Sequence, residues 1–169
     1  ADRAILVETD EEVQPLAAAR VLKTLIDKED PGLVLLGKQA IDDDANQTGQ
    51  MLAALWERPQ ATSISKLEFN GQMLKATREV DAGLETIEVD LPAVISVDLR
   101  LNEARYVKLP DIMKAKKKPL DIVPLAELGI EAGPQIKELA YAPPEERQRG
   151  IMVDDAAALV AALKDKGLV

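Results

Sequence analysis

Residues 31–56 combine a short apolar segment, a polar segment and a second apolar segment with helical spacing. The apolar run at 32–36 follows a Pro-Gly break and predicts a buried strand. Residues 37–44 are polar, end in three consecutive aspartates and predict a loop. A helix is predicted from about Asn46, because the next apolar side chains share one helical face: Met51, Leu52 and Leu55. In an open parallel sheet ligands bind at the carboxyl ends of strands, so this corner is the first candidate site.

The polar corner offers groups that suit a nucleotide. A helix start presents free backbone N–H groups and a positive dipole end, which favour a phosphate, and Thr48 can add a hydroxyl donor. The carboxylates of residues 42–44 repel a phosphate but accept hydrogen bonds from ribose hydroxyls or an adenine amino group. The same residues also fit a solvated acidic turn in which Asp44 and Gln47 form a capping box. Since the sequence has no glycine-rich phosphate motif, spacing alone leaves both interpretations open.

The amino-terminal part predicts a parallel α/β unit. Residues 4–7 form an apolar run typical of a buried strand, and residues 16–26 carry apolar side chains at helical spacing. The Pro-Gly pair at 31–32 ends this helix before the next strand. Strand, helix and strand in this order imply a right-handed parallel crossover.

The pattern then changes to a period of two. Alternating segments at 61–69, 73–80 and 84–91 are separated by turns, of which Asn70-Gly71 is a strong hairpin signal. They predict an antiparallel meander, and residues 92–97 return to a buried apolar strand. We therefore predict an α/β fold with a Rossmann-like open mixed sheet and helices on both faces.

The carboxyl-terminal third is less periodic. Residues 98–110 predict an exposed loop, and Leu109-Pro110 places an apolar side chain at a helix start. From Pro119 onward, prolines, glycines and charges predict an extended arm. A last amphipathic helix is predicted at 156–166; its caps would be Asp154 or Asp155 at the start and Gly167 at the end.

Composition excludes several function classes. The chain has 169 residues, 47% of them hydrophobic, so it can bury a core, which must be aliphatic because only one Trp, two Tyr and one Phe occur. Trp56, at the end of the second helix, is predicted to pack there. No Cys or His is present, which removes disulfides and the commonest metal ligands. A net charge of −9 argues against nucleic-acid or anionic-membrane surfaces, and no apolar run is long enough to span a membrane.

Four segments occur in a specific order: GKQAIDDDANQTGQM at 37–51, TREVDAGLE at 77–85, LPAVISVDLRLNEAR at 91–105 and LPDIMKAKKK at 109–118. Together they resemble the beta subunit of the electron transfer flavoprotein, over essentially the whole chain. That family has roughly a further third of the domain before the position of Ala1. We therefore expect one face and one edge of the sheet to lack their neighbours. Residues 1–169 alone should be poorly stable without that segment or a partner chain.

The resemblance implies a nucleotide site and a docking surface. An adenosine monophosphate (AMP) would be held by Gly37, Lys38, Gln39, Ala40, Ile41, Asp42, Asp43, Asp44, Ala45, Asn46, Gln47 and Thr48. A dehydrogenase would dock on Arg105, Tyr106, Leu109, Pro110, Ile112, Met113, Lys114 and Lys117. There the leucine enters a partner pocket and the lysines steer an acidic surface, although exposed leucines and lysines at a helix end are also ordinary surface features. Glu79 would latch the mobile flavin domain of the partner subunit; from the sequence alone it also fits a solvated strand residue paired with a neighbour.

The implied organisation is a nucleotide-binding core at 1–104, a partner-recognition loop and basic helix at 105–118, and an arm at 119–169 that packs on the alpha subunit. Alpha and beta would together bind one FAD, held mainly by alpha, while beta binds a structural AMP. Electrons would pass from acyl-CoA and other flavin dehydrogenases to this FAD and then to a quinone oxidoreductase. No catalytic residue, metal ligand or membrane insertion is expected, and the location would be bacterial cytoplasm or the mitochondrial matrix.

Three alternatives stay open at this point. A bifurcating member of the family binds a second FAD in place of AMP and usually carries a DGDTxQVGP-like loop, from which DDDANQTG departs. A stand-alone adenine-nucleotide sensor would explain residues 37–48 but neither Leu109 with its lysines nor the arm. Nucleotide hydrolysis would rest on Mg²⁺ held by the aspartates, and the missing phosphate loop disfavours it.

Overall fold

The strands of the computed structural model, which describes residues 1–147 and 149–169, form two sheets. In the smaller sheet, β1 (Ala4–Glu8) pairs in parallel with β7 (Leu120–Pro124). The larger sheet is built from β2 (Leu33–Gly37), β3 (Gln60–Asn70), β4 (Met73–Val80), β5 (Gly83–Asp90) and β6 (Ala93–Val97). Its spatial order is β2-β6-β3-β4-β5, with parallel pairing among the first three strands and antiparallel pairing among the last three.

The helices divide between two compact units of the chain, Ala1–Ile136 and Lys137–Val169. The first unit holds α1 (Pro15–Glu29), α2 (Thr48–Trp56), α3 (Leu109–Ala115) and short 3-10 helices at Leu99–Leu101 and Leu125–Leu128. The second unit holds α4 (Ala156–Asp165), whose N-cap Asp155 accepts a hydrogen bond from the Ala158 amide at 2.7 Å. Gly167 follows α4 with φ of 67°, as predicted for its end.

The predicted α/β class and mixed open sheet are confirmed. The meander forms where the alternation predicted it, and β3 and β4 are joined by a two-residue loop that starts at Gly71. The φ of Gly71 is 63°, a left-handed conformation that costs glycine little. Trp56 is half-buried and packs against the cluster under α2, as predicted, with the Arg58 guanidinium 5.8 Å from its ring centroid.

Three local predictions differ from the structure. The predicted crossover joins two sheets, because β1 hydrogen-bonds to β7 and β2 hydrogen-bonds to β6. The β7 strand lies in a stretch predicted as an irregular arm; its apolar run is short and ends at Pro124, so its pattern is weak. The second helix begins at Thr48 and not near Asn46, whose φ of 51° is left-handed and ends helical geometry there.

Two apolar clusters hold the larger sheet in place. The first packs α1 and α2 on the sheet through Ala19, Ile26, Leu52, Ala53 and Val94. The second joins the meander to β6 through Ala61, Ile64, Leu74, Ala76, Val89, Ala93 and Ile95. Because β2 and β6 are parallel neighbours, both end at the same edge, where the Lys38 amide donates to the Val97 carbonyl at 3.0 Å. The polar corner begins at this edge.

Candidate functional site

The loop between β2 and α2 encloses a cavity of about 150 Å³. Of the residues predicted to bind AMP, nine line it: Gly37, Lys38, Gln39, Ala40, Asp43, Ala45, Asn46, Gln47 and Thr48. Ile41, Asp42 and Asp44 do not line it, and the Ile41 side chain is fully exposed. Leu36 and Gly49 complete the lining; the sequence analysis did not include them, although they directly flank the predicted loop and helix start.

The amino-terminal end of α2 points unused donors at this cavity. Its N-cap residue, Gln47, makes no side-chain capping bond, and the amides of Thr48, Gly49 and Gln50 have no acceptor within the described ranges. Such amides carry the positive end of the helix dipole. Gly49 is buried, and a Cβ there would lie 3.4 Å from Leu36 Cδ1 and 3.8 Å from Ser96 Cβ. The helix start therefore lies close to the ends of β2 and β6.

Hydrogen bonds within the loop fix its acidic residues. The Gln39 side-chain Nε2 donates to Asp44 Oδ1 at 2.5 Å, and the Ala45 backbone amide donates to Asp43 Oδ1 at 3.2 Å. The predicted capping box of Asp44 and Gln47 is therefore wrong: Asp44 has φ of 54° and precedes the helix by too many residues to cap it. The loop geometry is set by Gln39 and the aspartates themselves.

Asn46 carries a buried oxygen that lacks a hydrogen-bond partner among the described residues. Asn46 is one of the residues that line the cavity, between the acidic turn and the start of α2. A buried acceptor without a donor is costly unless a ligand or water supplies one. The corner thus offers free amide donors on one side and an unused acceptor beside them.

A chain of ion pairs starts at Lys38. Its Nζ donates to Asp98 Oδ2 at 2.5 Å, and Asp98, which directly follows β6, is only 4% exposed. Arg100 donates to Asp98 Oδ1 from its backbone amide at 3.0 Å and from Nε at 2.8 Å. The Arg100 guanidinium, with the Lys38 ammonium, holds the pKa of the Asp98 carboxyl well below its usual range. This carboxylate therefore stays ionised at neutral pH.

Glu79 lies at the far end of this ion-pair chain. Its Oε2 accepts from Arg100 Nη1 at 2.7 Å, while the adjacent Arg78 pairs with Glu85 instead. The Glu79 side chain is 60% exposed, so a partner can reach it. The contact to Arg100 joins residues 21 positions apart in the chain and could not be predicted from the local pattern.

The residues predicted for docking are all exposed and lie on α3 or within four residues of it; we call them the α3 surface. Helix α3 begins at Leu109, with Pro110 in its first turn as predicted, and none of its residues is buried. Leu109, Ile112 and Met113 are 71%, 41% and 52% exposed and share one helical face. The remaining predicted members are exposed as well: Arg105, Tyr106, Pro110, Lys114 and Lys117.

The described residues show neither a candidate metal centre nor a membrane span. They contain no group of three or more acidic side chains placed to hold a metal ion, so the three aspartates of the loop do not converge. In the same described part, no helix combines the length and hydropathy needed to cross a bilayer.

Comparison with known proteins adds an independent observation. The model of the electron transfer flavoprotein domain matches residues 1–128. The electron transfer flavoprotein subunit beta of Bradyrhizobium diazoefficiens is 52% identical over 166 residues, covering 98% of this chain and 67% of the relative. The chain belongs to the electron transfer flavoprotein family, as a beta subunit.

Eukaryotic members of the same family are nearly as similar. Electron transfer flavoprotein subunit beta is 48% identical in Dictyostelium discoideum, and 47% identical in Homo sapiens. Both matches cover 100% of this chain and 68% of the relative. The resemblance drawn from the sequence motifs is thereby confirmed, and the chain is part of an electron-transfer flavoprotein.

Proposed function

We propose that this chain is the AMP-binding and dehydrogenase-docking subunit of a heterodimeric electron carrier. Its partner would be an alpha subunit that holds most of the FAD, and α4 with the preceding arm would pack on that partner. Family membership supports the electron-transfer role, and the name "subunit beta" of its relatives supports a partner chain. The uncovered apolar side chains Leu159 and Val160 of α4 fit a surface that another chain covers.

The observation that carries the nucleotide part is that donors and an acceptor without partners among the described residues occur together at one corner. Thr48 and Gly49 line the cavity, and their amides, with that of Gln50 behind them at the helix start, suit a phosphate, which needs several donors and gains from the helix dipole. The buried Asn46 Oδ1 suits a hydroxyl or amino group of the nucleoside. The Lys38 ammonium is held by Asp98, so the donors proposed for the phosphate are the backbone amides of the helix start.

The nucleotide would be structural, and the redox chemistry would belong to the FAD. Electrons would pass from acyl-CoA and related flavin dehydrogenases to the FAD and then to a quinone oxidoreductase. This chain would bind the AMP, contribute to holding the FAD that alpha mainly binds, and dock the dehydrogenase. The α3 surface supports the docking role, because it combines exposed apolar side chains with lysines on an otherwise acidic protein.

Analysis of bound nucleotides tests this proposal. The complete beta chain is co-purified with its alpha partner and denatured, and the released nucleotides are identified by chromatography and mass. One AMP and one FAD per heterodimer support the carrier described here. Two FAD without AMP would favour a bifurcating flavoprotein, and ATP or no adenine nucleotide on beta would favour a stand-alone sensor.

The variant Thr48→Val tests the position of the nucleotide. It removes a hydroxyl at the start of α2 and keeps the side-chain shape, so AMP binding should weaken about tenfold or more, as for loss of a hydrogen bond to a charged group. Thr24→Val is the matched control, because the Thr24 hydroxyl bonds only to the Arg20 carbonyl within α1. Equal AMP content and affinity in both variants would remove Thr48 from the site.

A further inference from the structure

A second cavity, of about 470 Å³, opens at the same edge of the larger sheet and shares Lys38 with the nucleotide corner. Its walls are formed by Lys38, Ser63, Glu79, Val80, Asp81, Asp98 and Arg100. Most of these side chains are charged, and they come from the ends of β2, β4 and β6. The cavity therefore lies where three strands end. The sheet fixes the backbone from which its charged side chains extend.

Asp98 is the fixed point of this cavity. Its backbone amide donates to the Ile64 carbonyl at 2.8 Å, which ties it to β3, and its carboxylate is buried. Both carboxylate oxygens are used, Oδ2 by Lys38 and Oδ1 by Arg100. A buried anion that accepts this many charge-assisted hydrogen bonds has little freedom to move.

The Arg100 guanidinium links the fixed Asp98 carboxylate to Glu79 and so defines the position of Glu79. Its Nε is bound to Asp98 and its Nη1 to Glu79 Oε2, at 2.8 and 2.7 Å. The guanidinium is planar and rigid, so fixing one edge also fixes the direction of the other. An ion pair between exposed groups adds little to stability, and both Arg100 and Glu79 are more than half exposed. The main effect of this contact is therefore to position the Glu79 carboxylate, and its contribution to stability is small.

We propose that Arg100 is a positioning residue for Glu79. Held by Asp98, it keeps Glu79 Oε2 occupied and presents the rest of the exposed carboxylate to a donor group of the partner subunit. Without Arg100, the side chain at the end of β4 would sample several rotamers, and ordering it on contact would cost conformational entropy. This inference rests on the proposed function, extended by the role that the family resemblance implies for Glu79, which is to contact the flavin domain of that partner.

Rate measurements on the complete heterodimer test the inference. Electron transfer from a dehydrogenase to the bound FAD is followed in the wild type, Glu79→Gln, Arg100→Gln and the double variant. Arg100→Gln should change the rate in the same direction as Glu79→Gln, by about twofold or more, and should have no further effect in the double variant. Arg100→Lys, which retains the charge but not the fork, should restore only part of the wild-type rate.

Two controls separate this inference from the proposed function. Arg3→Gln removes an arginine that also bridges two carboxylates, Glu29 and Asp121, but directly precedes β1 of the smaller sheet, and should leave the rate unchanged. A crystal structure of the Arg100→Gln heterodimer should show the Glu79 carboxylate displaced or spread over rotamers. If Glu79→Gln alone leaves the rate unchanged while that displacement is seen, the positioning stands and the latch role that the resemblance implies for Glu79 fails. Additive rate effects, or an unmoved Glu79 in the variant, overturn the positioning role itself.

Discussion

At the scale of single residues, Asp98 shows how one buried carboxylate can organise two sites. It connects Lys38, at the start of the nucleotide loop, to Arg100 and through it to Glu79. The sequence places these four residues up to 62 positions apart, from Lys38 to Arg100. Parallel pairing of β2 with β6 brings the strand ends together, so the contact depends on sheet register and not on a local motif.

The variant Asp98→Asn should lower the stability of the protein at neutral pH. The substitution leaves the Lys38 and Arg100 cations without their anion, so the urea midpoint at pH 7 should fall. Because the folded-state pKa of Asp98 lies below the unfolded value of about 3.9, its stabilising effect is present above about pH 4 and is lost as the pH falls further. The difference in midpoint between wild type and variant should therefore shrink below about pH 4.

Asp81→Asn is the control for that measurement. Asp81 lines the same cavity but forms no ion pair within the described ranges. The urea midpoint of Asp81→Asn should equal that of the wild type at pH 7 and also below about pH 4. A constant difference between Asp98→Asn and wild type across the titration would contradict the role of the Asp98 charge.

At the scale of elements, the exposed helix α3 carries apolar side chains beside lysines. Pro110 suits the first turn, so the sequence predicted this helix start, while Ile112 and Met113 were named only through the family resemblance. The structure adds the apolar face formed by Leu109, Ile112 and Met113, and shows that within the described part of the chain none of the α3 residues is buried. An uncovered apolar face beside lysines is typical of a docking surface.

Leu109→Ala should slow electron transfer from a dehydrogenase. Burying one leucine side chain on binding contributes about 1.5–3 kcal/mol, so the KM for the carrier should rise about tenfold or more while AMP content stays unchanged. Stopped-flow reduction of the bound flavin measures this. Phe69→Ala is the control, because Phe69 is comparably exposed, at 66%, but lies near the hairpin end of β3. Equal rates for wild type and Leu109→Ala would remove the leucine from the docking role.

The double variant Lys114→Gln with Lys117→Gln tests steering by charge. Long-range attraction raises the association rate and is screened by salt, so the rate should fall several-fold at low ionic strength and approach the wild-type rate at high ionic strength. The control is Lys66→Gln with Lys75→Gln, which removes the same charge from β3 and β4. If both double variants behave alike, net charge and not the α3 surface governs association.

At the scale of the whole molecule, apolar side chains remain exposed in both units. In the first unit, Leu6, Leu120 and Ile122 of the smaller sheet and Leu35 of β2 are between 44% and 56% exposed. In the second unit, α4 has no buried residue although its apolar side chains share a stripe. Such surfaces on a folded chain are typical of interfaces.

The thermal midpoint of this chain should therefore rise when the alpha partner is added. A partner that binds only the folded state adds about 2.7 kcal/mol at a hundred times its Kd, so the midpoint should also increase with partner concentration. Differential scanning calorimetry at several ratios measures the effect, with serum albumin at equal mass as the control for crowding. A midpoint that does not depend on the partner would contradict the assignment of these surfaces to an interface.

The sequence by itself determined the elements and the chemistry of the corner. The spacing of apolar residues predicted the meander, β2, β6 and the amphipathic helices, because side-chain periodicity follows directly from backbone geometry. This spacing also placed a loop between a strand end and a helix start, and the family resemblance implied twelve nucleotide-binding residues there, of which nine line the cavity. The start of α2 was misplaced because left-handed Asp44 and Asn46 are not distinguishable from helical residues by polarity.

Only the tertiary structure decided which distant residues meet. The partition into two sheets, the pairing of β1 with β7 and the ion-pair chain from Lys38 to Glu79 all depend on contacts between segments far apart in the chain. Such contacts are set by sheet register and by the packing of α1 and α2, and no local pattern encodes them. The same holds for the unpaired Asn46 oxygen, because burial and hydrogen bonding are properties of the assembled fold.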